Sequence, residues 1–138
     1  MTPLRKSNPR ALPAPTDGEL RILQVLWAEG PSTVRDVHDV LGGDSASVYT
    51  TTLKLLQLMA EKGLVTVDKS ARQHVFAAVQ AAATIERQMT QSLMRKVFGG
   101  STSALVLRAL EVERTTPEEL QQIRDLLDRL DRDGGAKS

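Results

Sequence analysis

The sequence predicts a mainly α-helical chain with one small β-hairpin, and three features of its patterning predict it. Apolar residues recur at i, i+3 and i+7 in successive segments between Thr16 and Lys62, separated by Gly30-Pro31 and Gly42-Gly43. Strict alternation then takes over around Val65 and Val67, and again around Val75, Ala77 and Val79. Helical spacing returns from Ile85 to Leu130. Thr16-Asp17-Gly18-Glu19 reads as a capping box that opens helix 1 over residues 17–28, with Leu20, Leu23 and Trp27 on one stripe. Ser32 or Thr33 caps a short second helix carrying Val34, Val37 and Leu41. Residues 47–62, free of Gly and Pro, form helix 3, with Leu53, Leu56 and Met59 on its inner side and Gly63 as its stop. The hairpin bend Lys69-Ser70-Ala71-Arg72 lacks Asn-Gly, which predicts a longer tip than a two-residue turn.

The C-terminal part has its own signals. Ile85, Met89, Leu93 and Val97 repeat at i+4 up to Gly99-Gly100, and a short apolar block follows from Ala104 to Leu110. Thr116-Pro117-Glu118-Glu119 is a second capping box, ahead of Leu120, Ile123, Leu127 and Leu130 at 3-4-3 spacing. The expected organisation is a flexible arm over 1–15, a first domain over 16–79, a helical domain over 80–133 and a frayed tail over 134–138.

Composition narrows the function. The chain has 138 residues, a 41% apolar and 25% charged composition, and no apolar run near the roughly 20 residues that span a bilayer, so no membrane insertion is expected. The opening residues carry Arg5, Lys6 and Arg10 without an apolar stretch, unlike a secretory signal, and a cytoplasmic location is the expectation. The absence of cysteine removes disulfides, zinc fingers and thiol chemistry. His38 and His74 have no second ligand at metal spacing, with His38 read as lying off its helix's apolar stripe and His74 on a strand. No nucleophile elbow or phosphate loop is present. An enzyme, a metal and a cofactor are therefore not expected. The four aromatic residues are too few for a single-strand stacking platform, which leaves duplex nucleic acid open despite a net charge of +1.

Three helices followed at once by a hairpin describe a winged helix-turn-helix, in which the third helix enters the major groove and the wing meets the backbone. Ser47, Tyr49, Thr50, Thr51 and Lys54 cluster in the first turns of helix 3, with no carboxylate among them before Glu61. Hydroxyls and an ammonium there suit phosphates and base edges. Lys69 and Arg72 are the wing's candidate phosphate contacts. The narrow Leu120/Ile123/Leu127/Leu130 seam, with Ile85, Met89, Leu93 and Val97, is best covered by a second copy of the chain, so a homodimer is expected. A different class of function is a winged domain that docks protein: Leu55 and Leu58 facing outward would make helix 3 apolar nearly all round.

These residues resemble the penicillinase and methicillin-resistance repressors from about Thr16 to Leu130. TDGELRILQVLWAEGPSTVRDVHDVL is similar to that family's first two helices, SVYTTTLKLLQLMAEKGLV to its recognition helix, and ARQHVFAAV to its wing. The resemblance implies a homodimeric repressor on a palindromic double-stranded operator, with a role in antibiotic resistance. It also implies release by cleavage in the dimerisation domain, triggered by a membrane metalloprotease sensor; the corresponding region here is Leu107, Arg108 and Ala109. Two departures stand out. Where cleaved relatives present Asn-Phe after Val-Leu, this chain has Arg108-Ala109, and the paired C-terminal cysteines of copper-responsive relatives are missing. Leu58 also stands where many relatives carry arginine.

Overall fold

The computed structural model describes residues 14–42 and 46–135, without the side chains of Ala46, Ser47 and Gly135. The element order is α1 (Asp17–Glu29), β1 (Ser32–Thr33), α2 (Val34–Val40), α3 (Ala46–Lys62), β2 (Val65–Asp68), β3 (Val75–Ala78), α4 (Ala82–Phe98), α5 (Thr102–Val112) and α6 (Pro117–Gly135). The fold is mainly helical with a small antiparallel sheet, as the patterning predicts. The chain divides into two compact units, one up to Gln91 and one from Ser92, so the division falls inside α4 and not at the expected 79–80 boundary.

Local signals in the first unit act through satisfied backbone groups. The Thr16 box is complete: the Glu19 amide donates to Thr16 Oγ1 at 3.2 Å and the Thr16 amide to Glu19 Oε1 at 3.0 Å. Thr33, not Ser32, caps α2, and Asp36 returns the bond, both at 3.1 Å. At the end of α3 the Leu64 amide donates to the Met59 carbonyl and the Gly63 amide to that of Ala60. That paired pattern needs a left-handed residue between helix and strand, and Gly63 supplies it at φ 85°. Leu64 is buried, so the chain passes from α3 directly into β2.

The core of this unit is one cluster built from α1 (Ile22, Leu23, Val25, Leu26), α2 (Val34, Val37), α3 (Leu56, Met59) and the sheet side (Leu64, Val65, Phe76). Two expectations are corrected here. The sheet has three strands in the order β1-β3-β2, because the Ser32-Thr33 pair that precedes α2 also lies against β3, Ser32 opposite Phe76. The phase of β3 is also shifted by one residue: Phe76 is the buried side chain, opposite Val67, whereas Val79 lies outside the strand and is exposed. The larger ring claims the core, and a central strand half-covered on both faces does not show clean alternation.

Two long-range polar contacts complete the unit. Trp27 Nε1–H donates to the Gln80 carbonyl at 2.9 Å, tying the end of α1 to the exit of β3. Lys62 Nζ donates to Glu19 Oε2 at 2.7 Å, pinning the end of α3 to the start of α1. The expected arm also ends sooner than residue 15, since Pro15 is buried; residues 1–13 lie outside the described residues.

In the second unit, α5 is capped by Ser101, whose Oγ accepts from the Ala104 amide at 3.1 Å, and α6 by the complete Thr116/Glu119 box. Helix α6 runs on to Gly135, past the expected onset of a frayed tail; residues 136–138 lie outside the described residues. No described helix is long and apolar enough to cross a membrane.

Candidate nucleic-acid interface

Helix α3 has three faces. Thr52, Leu56 and Met59 are buried against the core. Thr50, Lys54, Leu58 and Glu61, at i, i+4, i+8 and i+11, form an exposed outward ridge whose N-terminal half is polar or cationic and whose only carboxylate is Glu61. Thr51 is also exposed but turns toward α1, where it lines a recess with Gly18, Arg21, Val48 and Leu55. Ser47 lies in the first turn of α3, and its side chain is outside the described residues.

Tyr49 differs from its neighbours. Its ring is half-buried, with the His38 ring edge-on at 5.4 Å and 70°, and the Arg35 guanidinium 5.3 Å from its centroid. His38 is therefore buried rather than off the packed face of α2, and its Nδ1 has no hydrogen-bond partner among the described residues. The reason is geometric: α2 is covered on a second side by the first turns of α3, which its own periodicity does not reveal. His74 precedes β3 and is exposed, instead of lying on the strand.

The wing tip spans residues 69–74 between β2 and β3, longer than a two-residue turn as its sequence predicts. Both Lys69 and Arg72 are exposed. The Ser70 amide donates to Asp68 Oδ1 at 2.9 Å, and hydrogen bonds from Ser70 hold the Asp68 carboxyl below its ordinary value. Lys69 and Arg72 join Arg35, Tyr49, Leu53 and Glu61 around one cleft of about 610 Å³ between α3 and the wing. The fold thus gathers Tyr49, Lys69 and Arg72, sets Thr50 and Lys54 on the adjoining ridge, and places Thr51 on the other flank of α3. Arg35 went unnoticed in the sequence. Its position at the start of helix 2 gave no signal without knowing that α2 lies against Tyr49.

Leu55 does not face outward as the protein-docking alternative requires. It is half-buried, and a Cβ built on Gly18 of α1 would lie 3.3 Å from Leu55 Cδ1. Leu58 alone of that pair is exposed, at 39%.

Of the residues assigned to a dimer seam, Ile85 is 1% exposed within its own chain, so it is a core residue of the first unit and not available to a partner. Met89, Leu120 and Ile123 are half-buried, and Leu93, Val97, Leu127 and Leu130 are exposed. Leu107, Arg108 and Ala109 sit on the exposed surface of α5, within regular helix, and Arg108 pairs with Glu111 one turn on.

Comparison with known proteins identifies the family. The family model described as penicillinase repressor matches residues 15–129. A transcriptional regulator BlaI of Mycobacterium tuberculosis is 31% identical over 117 residues, covering 83% of each chain. The penicillinase repressor of Bacillus licheniformis is 21% identical over 119 residues, 86% of this chain and 93% of that one. A crystal structure of a transcriptional regulator from Thermotoga maritima aligns at TM-score 0.46 and 17% identity, over 87% of this chain and 79% of that one. The chain belongs to the penicillinase repressor family, whose members are transcriptional repressors and not enzymes.

Proposed function

We propose that the chain represses transcription as a homodimer that binds a palindromic operator, with Thr50 and Lys54 of α3 at the major groove and Lys69 and Arg72 of the wing on the backbone. The observation that supports this most is the outward ridge of α3, polar and cationic in its first half and flanked by two wing cations. Homodimerisation through the second unit is supported by exposure. Nine of the thirteen exposed large apolar side chains among the described residues belong to it, including Leu107, Val112, Leu127 and Leu130, and none of the residues of α5 is buried. Apolar surface on that scale is characteristic of a face that a partner covers.

The test is a titration of the full chain against duplexes carrying palindromes from its own promoter region, with random duplex as control, at moderate salt. A preference for one palindrome is expected. Lys54→Ala and Thr50→Ala should weaken binding without splitting the dimer, a lost base contact costing roughly 1–3 kcal/mol and a lost phosphate contact lowering the salt slope by about 0.9. Equal binding of all duplexes would refute sequence-specific repression, and full affinity in both variants would remove these residues from the interface.

A further inference from the structure

The cleft between α3 and the wing holds a cation that the wing alone does not account for. We propose that this cleft seats a backbone phosphate of the bound duplex, and that Arg35 of α2 is a ligand of that phosphate, held ready by Tyr49. The inference rests on the proposed function and extends it to a residue outside both α3 and the wing.

Arg35 is exposed and lies over the Tyr49 ring, 5.3 Å from its centroid. Among the described residues no carboxylate pairs with it: its neighbour Asp36 is engaged with the Thr33 amide at 3.1 Å. The platform beneath it is also fixed. His38, one turn further along α2 and buried, meets the same ring edge-on at 5.4 Å. Tyr49 is thus held between two residues of α2, and its own helix is anchored in the core.

A guanidinium held over a ring face by cation–π attraction still has N–H donors to offer, and its fixed fork of donors matches two oxygens of one phosphate. Holding it in place before binding reduces the rotamer entropy lost when the phosphate arrives. Arg35 shares the cleft with Lys69 and Arg72, and the lining also includes His74 and a single carboxylate, Glu61. Cations from α2 and from the wing therefore border α3 on one side, which suits a strand of the duplex that follows the groove edge. In helix-turn-helix proteins the helix before the recognition helix crosses the backbone. A diester phosphate of the duplex satisfies all of these groups together.

The experiment uses the full chain, with the binding of labelled operator duplex followed by anisotropy across a salt series. Arg35→Ala should weaken binding at least about tenfold and lower the slope of log affinity against log salt by about 1.8, since a bound dimer loses one phosphate contact from each protomer. Arg35→Lys should keep the slope, because the charge remains, but recover only part of the affinity, because an ammonium lacks the planar fork. Tyr49→Leu should weaken binding in the wild-type background and add little to Arg35→Ala. Wild-type affinity and slope in Arg35→Ala, with wild type binding the operator, would overturn this inference and leave the proposed function standing. Additive losses from Arg35→Ala and Tyr49→Leu would overturn the positioning role of the ring. Loss of duplex preference in the wild type itself would overturn both proposals. Inorganic phosphate, added at constant ionic strength, should not displace the duplex; selective displacement from wild type but not from Arg35→Ala would assign the seat to a free anion instead.

Discussion

Lys62→Met should destabilise the protein by about 2–3 kcal/mol at neutral pH, because it strands a buried carboxylate. Glu19 is 1% exposed, and its Oε2 lies 2.7 Å from Lys62 Nζ. Removing one partner of a buried pair costs about 3–5 kcal/mol. Two features reduce that figure. The Lys62 side chain is 33% exposed, so water reaches the vacated position, and Glu19 Oε1 keeps the Thr16 amide at 3.0 Å. Methionine preserves most of the packing of the lysine stem. With a urea slope of about 1–3 kcal/mol/M, the unfolding midpoint should fall by about 0.7–3 M. The pH dependence provides a second check. Burial raises the pKa of Glu19, but hydrogen bonds from Lys62 and Thr16 and the Lys62 charge outweigh it and hold the carboxyl below its ordinary 4.5. A lowered carboxyl contributes stability above its unfolded value and loses it as pH falls through the folded value, so wild type loses this contribution below about 4.5. In the variant burial acts with less opposition, the carboxyl moves up, and protonation relieves the penalty as the solution is acidified. The gap between variant and wild type should therefore narrow from pH 7 to pH 4. Glu19→Gln in the same chain should recover part of the loss, since a neutral amide needs no counter-charge. A gap that widens on acidification, or a loss under about 0.5 kcal/mol at pH 7, would refute the reasoning.

Leu127→Glu should shift the chain from dimer to monomer at micromolar concentration in sedimentation velocity and weaken operator binding as a consequence; an unchanged sedimentation coefficient would contradict the proposed interface. Trp27→Phe removes the donor to the Gln80 carbonyl while keeping a ring, and should cost about 1 kcal/mol in urea titration. Thr116→Ala breaks the cap of α6 and should cost about 1 kcal/mol of stability, with helical signal lost first in the thermal melt of the second unit.

Much of the local structure was legible because it depends on neighbours in sequence. A capping box closes within four residues, which is why Thr16/Glu19 and Thr116/Glu119 could be read directly, and why α1 and α6 begin where their first residues indicate. Gly63 and Leu64 end α3 by the same short-range logic. The order of three helices and a hairpin, with threonines and Lys54 at the start of α3, likewise follows from periodicity, and the family resemblance rests on that same stretch. What the sequence did not specify was phase and partner. The inward residue of β3, the destination of Ile85 and the direction of Leu55 each depend on which distant surface arrives, and period alone does not specify it.

By itself, the sequence determined where the main helices and the hairpin lie, and that α3 carries hydroxyls and an ammonium ahead of any acid, because these are properties of residues within a few positions of one another. Only the tertiary structure decided that Glu19 neutralises Lys62 across 43 positions, that Ser32-Thr33 is a strand, and that α2 sets Arg35 and His38 against Tyr49 beside the wing. Those pairings exist because close packing selects one mutual arrangement of helices and sheet, and that selection sums over the whole core instead of residing in any one segment.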